Sequence, residues 1–235
     1  MRRLFQAGVT ALVLGLMATP TASAQQSLNL SIGGFVPRAE DARGRDDVLV
    51  RDLAAGRDAL LFNIKDFNGV TVNGEWLIGF GRNFEGSVGV GYYSKGVPSI
   101  YAIRQKSGGA EIEQELKLRI VPFTATVRFL PMGRHNGIEP YIGAGVAVLN
   151  WRYTESGEFV DSSDNTIFRK TYLGSGSNTG PVILGGVRVP VGSGGIGGEI
   201  RYQAGEGTLP SDQDFLGSKI DLGGISYLFT VNFRF

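Results

Sequence analysis

The chain has no cysteine and a single histidine, His135, among its 235 residues. Without cysteine there is no disulfide framework, no thiolate zinc site, no iron–sulfur cluster and no thiol nucleophile. One histidine leaves no pair for a multi-histidine metal centre. An excess of either charge is also missing: 23 Lys and Arg stand against 22 Asp and Glu. Non-specific nucleic-acid binding therefore has no electrostatic driver, and no nucleic-acid partner is expected. Charged residues are 19% of the chain, below the ~25% of ordinary soluble domains. Past residue 24 there is no apolar run of 18 residues, so no spanning helix is expected.

What is abundant is glycine, 36 residues, about twice the usual ~7% share. Aromatic residues make up 10%, and the mean hydropathy is +0.01. Glycine-rich, aromatic-rich and of middling hydropathy is a composition that points to strands.

Residues 1–24 read as an address. Arg2 and Arg3 form a positive start, 7–18 is a short apolar core, Pro20 breaks it, and Ala22-Ser23-Ala24 has the small-x-small form that a signal peptidase cleaves. The apolar run is too short to span a bilayer. A mature domain at 25–235 is expected, exported from the cytoplasm.

Along that domain the dominant period is two. Val70, Val72, Trp76, Ile78 and Phe80 alternate with Thr71, Asn73 and Glu75; Phe84, Val88, Val90 and Tyr92 with Glu85, Ser87, Gly89 and Gly91. Tyr227, Phe229, Val231, Phe233 and Phe235 share one face, and Leu228, Thr230, Asn232 and Arg234 the other. Segment 112–129 changes phase near Pro122, which predicts a bulge there, since a one-residue slip moves every side chain to the opposite face. In 139–153 the reading puts Ile142, Val146 and Val148 outside and Gly143 and Gly145 inside. In 180–190, Ile183, Val187 and Val189 oppose Leu184, Gly186 and Arg188.

Eight strands result, and their connections alternate in length: long at 38–69, 96–111, 154–179 and 205–219, short at 81–83, 131–138 and 190–195. All loops at one end and all turns at the other describe a closed, antiparallel, eight-stranded transmembrane β-barrel of up-and-down topology. Strands cross hydrocarbon only in a closed sheet, because every backbone N–H and C=O must find an internal partner. Aromatics at Trp76, Phe80, Tyr92, Tyr93, Trp151, Tyr153, Tyr202, Tyr227, Phe233 and Phe235 fit interfacial girdles. A soluble barrel is the rival reading, with aliphatic residues inside and charges outside.

The interior phase carries the candidate site residues: Glu75, Glu113, Glu115, Lys117, Arg119, Arg188, Glu199 and Arg201. Charges in a narrow barrel must be paired or hydrated. Arg188 and Glu199 are expected to lie near one another across the turn at Ser193, and Glu75 and Arg119 to meet over the inward Gly89 and Gly91. The network reads as a plug; a selectivity lining for small solutes is the alternative.

Segment 227–235, with Tyr227, Phe229, Val231, Phe233 and Phe235 in alternation, resembles the β-signal of outer-membrane proteins. The hexapeptide PYIGAG at 140–145 is similar to a strand start in the OmpA/OmpX/OmpW-like group of small outer-membrane barrels. No peptidoglycan-binding domain follows in this sequence, and the loop at 38–69 is longer than in the smallest members. In that loop 48–55 reads as a short helix and 60–67 as an extension of the second strand. The resemblance implies an outer-membrane location in a Gram-negative-type cell. It also implies outer-membrane lipid and lipopolysaccharide as surroundings, and the export pathway and barrel-assembly machinery as partners. The role it implies is structural or interactive, with or without passage of small solutes.

Some small outer-membrane barrels are lipid-modifying enzymes, an acyl hydrolase or transferase being the second reading here. Such activity implies a histidine at the outer end. His135 falls in a turn at the opposite end. Ser94, Ser99, Ser107, Ser162, Ser163 and Ser211 have no base to activate them. Asp161, Asp164, Asp212 and Asp214 match no calcium-loop spacing. No catalytic residue, metal site or cofactor is expected, and the outer-loop ligand stays open.

Overall fold

The computed structural model describes residues 25–134, 137–161 and 163–235. The leader expected at 1–24, His135 and Ser162 lie outside the described residues.

Eight long strands form a ring: β1 (Gln26–Pro37), β2 (Gly69–Phe80), β3 (Phe84–Gln105), β4 (Glu111–Phe129), β5 (Glu139–Val160), β6 (Ile167–Val191), β7 (Gly194–Gln203) and β8 (Gly224–Arg234). Each is antiparallel to its neighbour, and β1 closes on β8 from Ser27↔Arg234 to Pro37↔Gly224. The expected topology stands. Two of the expected long loops do not. β3 runs on to Gln105 and β4 starts at Glu111, leaving a tight turn. β5 and β6 likewise pair to Val160↔Ile167. What reads as loop at 96–111 and 154–179 is strand that continues beyond the apolar band.

The bulge expected at Pro122 is absent. One register joins β4 to β5 from Gln114↔Gly157 to Phe129↔Ile142, and the β3–β4 pairing has the same offset at Val90↔Phe123 and Tyr93↔Ile120. The side chains keep one alternation throughout; what changes is which chemistry faces which way. Below Pro122, Thr124, Thr126 and Arg128 are buried inside, while Phe123, Val127 and Phe129 are exposed outside. Above it, Ile112, Leu116, Leu118 and Ile120 are buried inside and Glu113, Glu115 and Lys117 are exposed. Both solvents are met by one unbroken pleat.

Cross-strand rows on the outer surface show the same boundary. Val90, Phe123 and Val148 form an apolar row. Four residues further out, Ser94, Arg119, Arg152 and Ser175 form a polar one. The apolar stretch of β4 from Val121 to Phe129 is nine positions long, within the ~9–11 a tilted membrane strand needs. Exposed Trp76, Phe80, Tyr92, Tyr227, Phe233 and Phe235 belong to the outer belt, with Phe235 edge-on to Trp76 at 5.3 Å. Tyr93, Trp151 and Tyr153 are not girdle residues: all three are buried in the upper interior.

That upper interior is an apolar core, as in a soluble protein. Phe35, Val97, Leu116, Leu149 and Trp151 meet Val48, Leu49 and Phe67 of the 38–68 loop. The loop folds as a lid. It carries helix α1 (Val48–Leu53), shorter by two residues than expected, capped by Asp47, whose carboxylate accepts from Leu49 N at 3.1 Å. Segment 60–67 does not extend β2. Leu60–Leu61 pairs instead with Tyr101 and Ile100 of β3, and Ile64–Phe67 is a 3₁₀ turn. The Tyr93 hydroxyl donates to the Phe67 carbonyl. The lid is clipped to the 204–223 loop: Asp221 N donates to Asp47 at 2.6 Å, Arg43 pairs with Asp47 at 3.0 Å, and Arg38 with Asp221 at 3.1 Å.

Candidate functional site

The membrane-level interior holds two ion networks. In the first, Arg128 Nη2 of β4 lies 2.6 Å from Glu75 Oε2 of β2 and 3.1 Å from Glu199 Oε2 of β7. Arg201 Nη2 completes the ring, 2.9 Å from Glu75 Oε1 and 2.6 Å from Glu199 Oε1. Asn29 donates to Glu75 at 3.2 Å and the Tyr141 hydroxyl to Glu199 at 3.0 Å. Two carboxylates and two guanidiniums balance, so this layer holds no net charge. Each oxygen of Glu75 and Glu199 has a donor, which is what makes a buried ion pair tolerable.

The second network lies nearer the short turns. Arg188 of β6 bonds Glu139 through Nε at 2.7 Å and Glu85 through Nη2 at 2.9 Å. Arg234 reaches Glu139 at 2.7 Å, and Arg134 reaches Glu85 at 3.4 Å. Small residues opposite make the room. A Cβ on Gly89 would lie 2.6 Å from Glu75 Cγ, and one on Gly143 would lie 3.1 Å from Arg128 Cγ.

Glu75, Arg188, Glu199 and Arg201 are inside and buried. Their partners differ from the expected ones. Arg188 faces Gly197, and Glu199 faces Gly186; Arg188 serves Glu85 and Glu139 instead. Glu113, Glu115, Lys117 and Arg119 are outside, on the part of β4 that rises past the apolar band. Arg119 never meets Glu75; Arg128 holds that place. Sequence reasoning misses Arg128, Glu85, Glu139, Arg134 and Arg234 as network members. Three of them carry a signal. Glu85 stands in the alternation of 84–92, Arg128 alternates with Val127 and Phe129, and Arg234 alternates with Phe233 and Phe235, so all three share the phase of inward residues.

Among the described residues, side chains fill the lumen above the ion networks. Above Arg201 a small void of about 10 Å³ lies between Phe35, Tyr93, Ile120 and Gln203, and over it comes the apolar core and its lid. The outer-segment serines are scattered: Ser99 is buried against Gln114 at 3.4 Å, and Ser163 bonds Asp161 at 2.6 Å. Among the described residues no three His, Cys, Asp or Glu side chains converge as metal ligands.

An apolar exterior band around a closed, charge-paired interior defines a transmembrane β-barrel, the reverse of a soluble one. No family model and no curated protein matches the chain. Among solved structures it is similar to the outer membrane protein OprG of Pseudomonas aeruginosa, at 11% identity and a TM-score of 0.49, over 90% of this chain and 96% of that one. It is also similar to Neisserial surface protein A, at 10% identity and TM-score 0.47, over 92% and 100%. A third is Ail, the attachment invasion locus protein of Yersinia pestis, at 12% and 0.42, over 90% and 99%.

Proposed function

We propose that this chain is an integral barrel of the bacterial outer membrane that carries a structural or interaction role, without catalysis and without conducting solutes. Residues 1–24 serve as its export signal. The outward alternation of Tyr227, Phe229, Val231, Phe233 and Phe235 is the segment read by the barrel-assembly machinery. The short turns face the periplasm, and the lid and hairpin tips face outward, among lipid and lipopolysaccharide.

The observation that carries the reading is the reversal of chemistry along β4, with Phe123–Phe129 apolar outside and Glu113–Arg119 polar outside on one continuous strand. A closed sheet with that band is stable only where hydrocarbon surrounds it. The occluded lumen supports a non-conducting barrel: two salt-bridge layers fill its lower half and side chains of the apolar core fill its upper half.

Planar-bilayer recording on refolded protein tests this, with insertion checked by heat-modifiable migration on an unboiled gel. Inserted protein is expected to give no discrete conductance steps. Steps that change in Arg201→Ala would refute the closed lumen. Recovery of the protein from soluble periplasm without detergent would refute the membrane placement.

A further inference from the structure

The outer cap keeps a polar cluster that takes no part in the two interior networks. A cavity of about 140 Å³ lies between the lid, the outer ends of β3, β5 and β6, and the 204–223 loop. Its walls combine four carboxyl groups, Asp52, Asp58, Glu155 and Asp214, with aromatic rings that include Tyr101, Phe159 and Tyr172. Two of the acids are matched. Asp58 lies 2.6 Å from Arg104 Nε, and Asp214 lies 3.2 Å from Lys170 Nζ.

The other two are not matched. Asp52 on α1 is 1% exposed and Glu155 on β5 is 6% exposed, and neither is in a salt bridge. They face each other across the joint between lid and barrel, with the Tyr153 hydroxyl beside Glu155. No cation or backbone donor reaches Asp52 Oδ2 or Glu155 Oε1. Asp47, the N-cap of the same helix, is already held by Arg43. Burying carboxyl groups without a counter-charge is costly. Burial, and then the neighbouring Glu155, holds Asp52 well above the ordinary carboxyl range, and burial pushes Glu155 up to about 7. The pair keeps a proton where a cation is missing.

We propose that this cavity binds a small organic ammonium ion, its charge against Asp52 and Glu155 and its alkyl groups against the rings of Tyr172 and Phe159. The protein itself displays the mode: Lys170 Nζ lies 4.5 Å from the Tyr172 ring centre while it bonds Asp214. Cations are drawn to aromatic faces, more so when desolvated. Hard divalent ions instead need six or more oxygen ligands around one point, and among the described residues no three acidic side chains converge in that way. An anion finds no free cation there, because Arg104 and Lys170 are held by Asp58 and Asp214.

The test is calorimetric titration of the folded full chain in detergent micelles with n-butylammonium chloride, against 1-butanol and calcium chloride. Butylammonium is expected to bind at least tenfold tighter than 1-butanol, and more tightly as the pH rises from 5.5 to 8 and the shared proton leaves. Glu155→Gln keeps the volume and removes a buried charge, so the cap is expected to fold. It should weaken binding at least tenfold and flatten the pH dependence. Tyr172→Leu, which leaves the acids in place, should weaken binding severalfold. Equal binding of 1-butanol, tighter binding of calcium, or unaltered affinity in Glu155→Gln would each overturn the inference. So would a folded barrel that takes up no ammonium. Insertion is read separately by gel migration, so this inference can fail while the membrane placement stands.

Discussion

Replacing Arg128 by Met isolates the central ring of charges. The side chains of Arg128 and its two carboxylate partners are at most 1% exposed, so neither Glu75 nor Glu199 has water to fall back on. Without Arg128 one cation, Arg201, faces two carboxylates at 2.9 and 2.6 Å. Removing one member of a buried pair typically costs about 3–5 kcal/mol, because the partner is left charged and unpaired. At ~1.36 kcal/mol per power of ten, that is a loss of roughly two to four powers of ten in the folding equilibrium. The control is Arg119→Met on the outer face of the same strand, where a surface change is expected to stay within about 0.5 kcal/mol. Urea titrations of the barrel in phospholipid vesicles, followed by tryptophan fluorescence and by gel migration, measure both. The pair Arg128→Met with Glu75→Gln leaves Arg201 balanced by Glu199, so the double variant should lose less than the sum of the singles. Equal costs for Arg119→Met and Arg128→Met would refute the inward phase assigned to β4 and the ring with it.

Two further outcomes follow from the lid and from the outer belt. Glu155, with a folded-state pKa of about 7 against an ordinary 4.5, holds its proton more tightly when the cap is closed. Below pH 4.5 closed and open forms both carry that proton; between 4.5 and 7 only the closed form does; above 7 neither does. Closure therefore weakens as the pH rises through that window, by about 3 kcal/mol in all, and the hydrogen-exchange protection factors at Val48–Leu53, each observed rate being divided into the intrinsic rate at the same pH, should fall accordingly, an effect that Glu155→Gln removes. Protection factors that stay constant between pH 4.5 and 7 would contradict this. Phe235→Ala removes the edge-on contact with Trp76 and the exposed aromatic that follows β8; fractionation of expressing cells should show less heat-modifiable barrel, while refolding in detergent is little changed. Equal amounts of assembled barrel in cells would argue against assembly through this segment.

Strand number, order and outward face were legible because the lower barrel obeys one rule, apolar out and polar in, with a period of two. Phe84, Val88 and Val90 or Phe229, Val231 and Phe233 give that rule without ambiguity. The misreading of Glu113–Arg119 came from applying the same rule where the surroundings are aqueous. Alternation reports that two faces differ; it does not say which solvent either face meets. At Pro122 the identities exchange while the pleat does not, and a sequence shows the two events alike. The ion partners were hidden for a different reason. Arg128 meets Glu75 and Glu199 across the lumen, between strands that are not neighbours, so local pairing symmetry could not supply those contacts. The short helix of the first loop was legible, but its docking as a lid was not, because α1 owes its place to Asp47, Arg43 and the distant Asp221.

The continuation of β5 and β6 beyond the lipid has a consequence of scale. From Arg152, in the first charged row, to Val160 at the hairpin tip is eight residues, about 26 Å of strand at ~3.3 Å per residue, or roughly 20 Å of height once the tilt of a barrel strand is allowed for. The headgroup layer on one side of a bilayer is only about 5–8 Å deep. The wall thus lifts its cap out of the lipid surface like a short tower, and whatever docks there meets a rigid rim instead of a wandering loop.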